Sequence, residues 1–204
     1  MDASTNNFII VSYYTPSYKE VADKYLLDSL TNIDVQYAVI GIGDLGNWYD
    51  NTAYKPTFAL EMLDAHPDKD IVIVDCDARI ETYPELFDNI PEEYLFAAHY
   101  LDHDTWYHNN SRQKEFLSGT LFIRNCEKSR IIIEKWKFGC LMNNRNWEQY
   151  ILQQIIENES VPVYHLPISY CYIDSLPNGD KPFIKCDDVV VRHFQYSRKV
   201  DKNV

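Results

Sequence analysis

The sequence has little positive charge, which excludes several classes of partner. It carries 19 Lys and Arg residues against 31 Asp and Glu residues, for a formal net charge of −12. Nucleic-acid-binding proteins usually carry a basic surface, because contacts with phosphate supply much of their affinity. The charge therefore argues against a nucleic-acid partner and against docking on anionic lipid.

Long apolar runs are also missing. No run approaches the roughly 18 residues that a membrane-spanning helix needs. The first residues, MDASTNNFIIVSYY, include an acid at position 2 and lack the basic start of a signal peptide. We therefore expect a protein with no membrane span and no secretion signal.

Cysteines are few and dispersed, at positions 76, 126, 140, 171 and 186. No two of them are separated by only two residues, which excludes a zinc ribbon and a thioredoxin-like motif. An odd number of scattered cysteines is typical of reduced thiols in a cytosolic protein. We therefore expect a cytoplasmic location.

Glycine is scarce, with 6 residues, yet three of them fall in GIGDLG, Gly41 to Gly46. This segment matches the dinucleotide-binding pattern G-x-G-x-x-G, in which a helix must begin inside the motif. Here the motif follows the second predicted strand, and NWYDNTAYKP after it reads as a loop. We interpret the cluster as a turn that needs positive φ.

The length and apolar content suit one core. The chain has 204 residues, of which 46% are hydrophobic, and we predict a single domain over residues 1–204. Aromatic residues make up 14%, with 16 tyrosines and 4 tryptophans. Such side chains suit a protein that stacks on sugars or bases, and an aromatic-rich core accounts for them equally well.

Short β-branched runs alternate with helix-like segments in the first half of the chain. The pattern predicts strands at 8–14, 35–42 and 71–74, and helices at 17–30 and 56–65. Ser17 and Glu20 form the pattern of a capping box, and Pro56 is suited to the start of the second helix. This alternation is typical of βαβ units and a parallel sheet.

The second half is less regular. Strands are predicted at 94–98, 116–123, 163–166 and 189–193, and helices at 127–138 and 147–157. The polar and aromatic residues 99–115 read as a long loop, of a length that is often functional. Together the segments predict an α/β fold with a mostly parallel central sheet flanked by helices.

The stretch IVIVDCDARI, Ile71 to Ile80, ends a buried strand in two acids. Alternate side chains of a strand share a face, so Asp75 and Asp77 can both turn toward one cation at the carboxyl edge of the sheet. Carboxylates together with a histidine suit Mn²⁺ or Mg²⁺, which could neutralise a diphosphate. The same acids could instead only cap a turn or the next helix.

A second enzyme class also fits part of this stretch. It resembles the D-x-D-x-T/V segment of haloacid-dehalogenase-like phosphohydrolases, in which Asp75 would attack phosphorus as the nucleophile. Asp187 and Asp188 would then correspond to that family's later acidic pair. However, Arg79 stands where the pattern has Thr or Val, and the acids follow the third predicted strand rather than the first.

Several segments, taken in order, resemble GT-A nucleotide-sugar glycosyltransferases. IVIVDCDARI resembles their D-x-D segment, and Lys55-Pro56 resembles the K/R-P pattern before the preceding helix. FLSGTLFIRN from Phe116 resembles the F-N-S-G segment of retaining members. WEQY from Trp147 resembles the D-Q/E-Q helix start, and VRHFQYSRK from Val191 resembles the C-terminal H-x-x-(G/S)-x-K segment. The resemblance covers nearly the whole chain.

This resemblance implies a GT-A, Rossmann-like fold and transfer of a sugar from a UDP- or GDP-sugar to an acceptor hydroxyl, such as that of a glycan. It implies that Asp75, Asp77 and His193 hold Mn²⁺ or Mg²⁺. The residues implied at the donor are Ser12, Tyr13, Lys55, Asp75, Cys76, Gly119, Arg198 and Lys199. Glu148 and Gln149 would flank the anomeric carbon in a retaining enzyme, and Asp102 would be the base in an inverting one.

The sequence departs from the family pattern in ways that keep alternatives open. Leu117 replaces the Asn before Ser-Gly, Glu148 stands where many members have Asp, and Gln195-Tyr196 replace the usual Gly or Asn. Retention of configuration therefore stays open, as does an inactive module that binds sugar nucleotides without turnover. The chain is short for a glycosyltransferase, so we expect an acceptor side that is small, or that a partner or a second subunit, as in a homodimer, supplies.

Overall fold

The computed structural model describes residues 7–107, 113–143, 146–175 and 184–198. Its strands are β1 (Phe8–Tyr14), β2 (Tyr37–Gly41), β3 (Asp70–Val74), β4 (Ala78–Ile80), β5 (Phe96–Asp102), β6 (Lys114–Ile123), β7 (Val163–His165), β8 (Tyr172–Ile173) and β9 (Val191–His193). Six of them form a central sheet in the order β2-β1-β3-β6-β5-β7, and the other three form a small sheet in the order β4-β9-β8.

The central sheet is mostly parallel, as the sequence predicts. β1 is parallel to β2 and β3, and β5 is parallel to β7, whereas β6 is antiparallel to both of its neighbours. The α/β class is therefore confirmed.

Helices cover both faces of this sheet. They are α1 (Lys19–Ala22), α2 (Asp28–Leu30), α3 (Trp48–Ala53), α4 (Lys55–Ala65), α5 (His103–Tyr107), α6 (Glu127–Met142) and α7 (Glu148–Asn158). A π-helical turn, Asp23–Leu27, joins α1 to α2, and four 3-10 turns lie at Pro16–Tyr18, Glu85–Asn89, Ile168–Tyr170 and Tyr196–Arg198. None of the helices in the described ranges has the length and hydrophobicity needed to cross a bilayer.

The core lies on both faces of the sheet, which explains the uninterrupted apolar run of β3. Ile71 and Ile73 pack on one side, with α4, α6 and α7. Val72 and Val74 pack on the other, with Leu26 and other residues of the first helical segment. Alternate side chains of a strand point to opposite faces, so a strand covered on both faces is apolar throughout.

The predicted helix over 17–30 forms, but its capping box is wrong. The segment begins at Pro16 in a 3-10 turn, with Thr15 in extended conformation before it. Ser17 lies inside this first turn, and its Oγ lies 3.2 Å from Thr15 Oγ1. Proline fixes φ at a value suited to a helix start, so the turn begins one residue earlier than predicted.

Two predicted loops contain helices instead. NWYDNTAYKP includes α3, because the Asn47 side chain accepts the backbone N–H of Asp50 at 3.0 Å and caps that helix. Residues 99–115 continue β5 to Asp102 and then form α5. Pairing of Tyr100 with Phe116 on β6 extends β5 through a polar stretch that gives no strand signal by itself. Gly46 has φ of 117°, which confirms the predicted positive-φ turn.

The topology brings three polar segments to one edge. β1 and β3 end together because they are parallel, and the Asp75 N–H donates to the carbonyl of Gly119 on β6 at 2.9 Å. β4 pairs with β9 so that Ala78 lies opposite His193. A histidine more than a hundred residues from the acids therefore comes to the carboxyl edge beside them.

Gly139 sits where α6 crosses α7, and we expect Gly139→Ala to destabilise the fold. An added Cβ would lie 2.6 Å from Ile151 Cγ2. Overpacking of this kind costs about 1–3 kcal/mol, against a gain of about 1 kcal/mol in helix propensity. Urea unfolding should show a net loss, whereas Gly43→Ala, with nothing within 4 Å of its Cβ, should be neutral. An equal effect at both positions would contradict the tight crossing.

Candidate active site

A cleft of about 900 Å³ opens at the carboxyl edge of the central sheet. Its floor is formed by the ends of β1 and β3 and by the middle of β6, and α3 and α7 contribute to its walls. The volume is that of a site for a small ligand or cofactor. Ligands of open α/β sheets bind at this edge, outside the carboxyl ends of the strands.

Asp75, Asp77 and His193 meet at the floor of the cleft. One possible ligand atom from each lies within 4.8 Å of the other two. His193 is 1% exposed. Its Nε2 lies 2.8 Å from Thr120 Oγ1, whereas its buried Nδ1 has no hydrogen-bond partner among the described residues.

The space between these groups fits a cation. A Cβ on Gly119 would lie 3.0 Å from Asp75 Oδ2 and 3.3 Å from His193 Nδ1, so only glycine leaves this space open. An orphaned imidazole nitrogen beside two carboxylates is a donor set that suits Mn²⁺ or a similar ion. Thr120 fixes the ring orientation from behind, as an outer partner of a metal-bound histidine does.

Burial shifts the pKa values of His193 and Asp77 in opposite directions. It lowers the pKa of His193 to about 4, although the Asp75 carboxylate acts the other way, so the ring is neutral at pH 7. Burial and the charge of Asp75 raise the pKa of Asp77 to about 6. The Tyr196 N–H, which donates to Asp77 Oδ2 at 2.7 Å, opposes that rise.

Lys55 is buried and joins two carboxylates. Its Nζ lies 2.9 Å from Asp75 Oδ1 and 3.0 Å from Glu148 Oε1. It also lies 3.2 Å from the hydroxyl of Ser118, which donates to Glu148 at 2.8 Å. Burial alone would lower the pKa of Lys55, but the charges of Asp75 and Glu148 outweigh it and the pKa is raised.

Glu148 and Gln149 line the cleft at the start of α7. Burial raises the pKa of Glu148, and the Lys55 ammonium partly opposes it. Glu148 Oε2 is buried without a partner in the described ranges. Gln149 uses both ends of its amide: Oε1 accepts the Ser118 N–H at 3.0 Å, and Nε2 donates to Glu115 at 2.6 Å.

Ser12, Tyr13 and Cys76 line the cleft near the ends of β1 and β3. Ser12 Oγ is buried with no partner in the described part of the chain, and so is the hydroxyl of Tyr18. The Tyr13 hydroxyl donates to the Asn51 carbonyl at 2.9 Å, so that side chain serves as a wall. Burial raises the pKa of the Cys76 thiol, which is therefore neutral.

Some residues that the sequence singles out lie elsewhere. Asp102 is not among the described residues that line the cleft, and its carboxylate accepts the Thr105 N–H at 3.1 Å. Arg198 ends the 3-10 turn after β9, and Lys199 lies outside the described residues.

The phosphohydrolase interpretation gains no support from this placement. Asp187 and Asp188 are exposed and do not line the cleft, while Arg79 pairs with Asp28 at 3.0 Å. Asp75, the proposed nucleophile, is held by Lys55. All five cysteines lie in the described ranges and are free.

Sequence reasoning missed three residues that shape the site. Ser118 and Thr120 interrupt the apolar run FLSGTLFI and are 2% and 0% exposed. Buried hydroxyls in an apolar strand need partners, and that is the signal which could have pointed to them. Glu115 gave no such signal, because its contacts with Gln149 and His103 depend on how α5 and α7 approach β6.

The fold is similar to that of several glycosyltransferases of known structure. A glycosyltransferase involved in the glycosylation of the major capsid of PBCV-1 superposes with a TM-score of 0.66 at 11% identity, covering 94% of this chain and 95% of the other. GlyE of Streptococcus pneumoniae TIGR4 gives 0.60 at 12%, covering 91% and 54%. The galactosyltransferase LgtC, in complex with donor and acceptor sugar analogs, gives 0.57 at 12%, covering 92% and 87%.

At these identities the likeness shows the fold, which is GT-A-like. The chain spans nearly the full length of the first structure and about half of GlyE. No protein-family model matches the sequence, and no curated protein matches it.

We expect the cluster to bind Mn²⁺, with an affinity that falls as the pH drops through about 6, because Asp77 must lose its proton to bind the ion. Thr120→Val should weaken binding about 10–100-fold, because His193 loses the group that orients it. Titration followed by electron paramagnetic resonance measures both effects. Thr31→Val, on an exposed threonine, is the control. Unchanged affinity in Thr120→Val would refute this assignment.

Lys55→Met should destabilise the fold by about 3–5 kcal/mol at pH 8, because it leaves Glu148 buried without its ammonium. The loss should shrink at pH 5, where the orphaned carboxylates take up protons. The raised pKa of Lys55 means that its own stabilisation persists throughout this range and is lost only above the usual lysine pKa. Urea unfolding at both pH values tests this expectation.

The matched control is Lys19→Met, which removes an exposed ion pair with Asp23. Exposed pairs of this kind contribute little to stability, because water and salt screen them. A loss in Lys55→Met as small as that in the control would mean that the buried bridge does not hold the site together.

Proposed function

We propose that the protein is a metal-dependent glycosyltransferase that moves a sugar from a UDP- or GDP-sugar to an acceptor hydroxyl. One observation carries the proposal: the buried Nδ1 of His193, which has no hydrogen-bond partner among the described residues, lies beside Asp75 at the floor of the cleft. The GT-A-like fold, shared with glycosyltransferases, supports it.

Charge explains why a cation is needed. Asp75, Asp77 and Glu148 lie on the cleft lining around the ammonium of Lys55, so this floor would repel a diphosphate. Asp75, Asp77 and His193 would hold Mn²⁺ or Mg²⁺, which would supply the positive charge that stabilises a departing diphosphate. Arg198 and Lys199, which follow β9, are proposed as further donors to the phosphates.

The donor would lie over the ends of β1 and β3. The hydroxyls of Ser12 and Tyr18, which have no partner in the part of the chain that the structure describes, would contact the nucleotide, and Tyr13 and Cys76 line the cleft beside them. Gly119 lets the sugar and diphosphate approach the backbone closely, since a Cβ there would crowd Asp75 and His193. Lys55 holds Asp75 in position through its Oδ1 at 2.9 Å.

Glu148 is the group best placed to steady positive charge on the anomeric carbon. Transfer passes through a transition state that resembles an oxocarbenium ion, as glycoside hydrolysis does. Lys55 and Ser118 hold one oxygen of Glu148, and the other, Oε2, is unpartnered among the described residues. Gln149 positions β6 beside it. Because Asp102 caps α5 outside the cleft lining, we favour retention over inversion.

The acceptor is proposed to be a hydroxyl of a glycan. The cleft opens beside α7, where the acceptor would approach Glu148. A second copy of the chain, in a homodimer, is proposed to complete that side.

The decisive experiment measures nucleotide-diphosphate release from a panel of UDP- and GDP-sugars with Mn²⁺, together with the sugar product. We expect one donor to be turned over, with kcat/KM about 10²–10³-fold lower in Asp77→Asn. Asp187→Asn, on an exposed acid outside the cleft lining, is the control and should match the wild type.

Two outcomes would overturn the proposal. Release of inorganic phosphate without a transferred sugar would identify a phosphohydrolase that uses Asp75. A melting-temperature shift with UDP and Mn²⁺ but no turnover of any donor would identify an inactive sugar-nucleotide-binding module.

A further inference from the structure

Three aromatic side chains gather at the mouth of the cleft, and the reaction described above does not use them. Trp48 of α3, Trp147 just before α7 and Tyr150 within α7 all line it. Trp147 is 48% exposed and Tyr150 is 52% exposed. A single exposed aromatic side chain is ordinary. Aromatic rings from two separate elements that line one ligand-sized cleft indicate a binding site.

The platform is defined by Trp48, Trp147 and Tyr150, which line the same cleft, and its two tryptophans contact each other. Trp48 and Trp147 meet edge to face, with ring centroids 6.3 Å apart and planes at 78°. The indole N–H of the buried Trp136 donates to the Glu148 carbonyl at 2.8 Å, which fixes the first turn of α7 beside Trp147. A preformed surface of this kind loses little entropy when it binds.

Neutral amides contribute much of the wall beside the rings. Asn47 and Asn51 approach from the α3 side, and Gln153 and Gln154 from α7. Hydrogen bonds inside the protein fix both ends of the Asn47, Asn51 and Gln153 amides. An amide oxygen has two lone pairs, so each of these oxygens can still accept a hydrogen bond from a hydroxyl group. An aromatic face next to amides matches a molecule that has one apolar face and a rim of hydroxyls, which is the form of a pyranose ring.

The position of the platform relates it to the acceptor. Trp147 precedes Glu148, whose carboxylate connects through Lys55 to Asp75. Ser118 ties this end of α7 to β6, and in the sheet order β6 lies across β3 from β1, where Ser12 lines the donor side. The α7 side of the platform therefore lies across the metal ligands from Ser12. Trp48 reaches it from α3, whose Asn51 carbonyl accepts the Tyr13 hydroxyl on the donor side.

We propose that Trp147, with Trp48 and Tyr150 beside it, binds a pyranose ring of the acceptor, so that the acceptor is a saccharide rather than a protein or lipid hydroxyl. The role as acceptor rests on the proposed function, whereas the binding of a saccharide does not. The contact is apolar stacking on the indole face, with hydrogen bonds from the amides.

Saturation-transfer-difference NMR tests binding without any donor. The probes are lactose, cellobiose, maltose and chitobiose, each titrated into the wild-type protein and into Trp147→Leu. We expect at least one disaccharide to bind, with affinity about tenfold lower in Trp147→Leu, because the sugar loses the aromatic face on which it stacks. Trp147→Phe, which keeps an aromatic face, should restore part of the affinity.

The matched control is Phe138→Leu. Phe138 is an aromatic residue of α6 that is 64% exposed and is not among the described residues lining the cleft. Its replacement should leave binding unchanged. If melting curves show that Trp147→Leu is unfolded, Trp48→Leu replaces it with the same expected loss.

Transfer kinetics separate this inference from the proposed function. In Trp147→Leu the acceptor KM should rise about tenfold, while kcat at saturating acceptor and the affinity for UDP with Mn²⁺ stay as in the wild type. No disaccharide binding to the wild type, or equal binding to Trp147→Leu, would overturn the platform. Loss of nucleotide affinity in that variant would also overturn it, since the rings would then stack on the base.

Saccharide binding that depends on Trp147 in a protein with no donor turnover would refute the proposed function and leave the platform as a sugar-binding surface. Donor turnover without any saccharide binding would refute the platform and leave the proposed function standing.

Discussion

The buried ammonium of Lys55 is the constraint on which the rest of the site depends. It begins α4, and it contacts Asp75 after β3, Ser118 on β6 and Glu148 at the start of α7. The contacts of this one ammonium group therefore fix the positions of α4, β3, β6 and α7 relative to one another. Because an unpaired buried charge is costly, any shift of one element would leave a carboxylate or the ammonium exposed to an apolar interior.

This constraint also explains the electrostatics of the cleft. Lys55 compensates only part of the negative charge of Asp75, Asp77 and Glu148, and burial keeps His193 neutral. The floor is thus arranged for a cation before any anion binds there. Under the proposed function, a metal ion and a diphosphate would balance each other's charge at this place.

The features that could be predicted from the sequence are those that depend on residues close together in the chain. The strands and helices of the first half follow from local periodicity, and the two acids of IVIVDCDARI follow from the end of β3. The sequence offered Asp102 as a catalytic base. In the structure its carboxylate instead accepts the backbone N–H of Thr105 at the start of α5. The helix α3 was missed because its signal is a single cap at Asn47 rather than an apolar stripe.

The sequence by itself determined the α/β class, the alternation of strands and helices that predicts a parallel sheet, and the pair of acids, because these follow from patterns among residues close together in the chain. Only the tertiary structure decided which residues join them. The pairing of β4 with β9 brings His193 to Asp75, and β6 presents Thr120 behind its ring. Those contacts join residues more than seventy positions apart, and no local periodicity encodes them, since they depend on how the strands order themselves in the sheets.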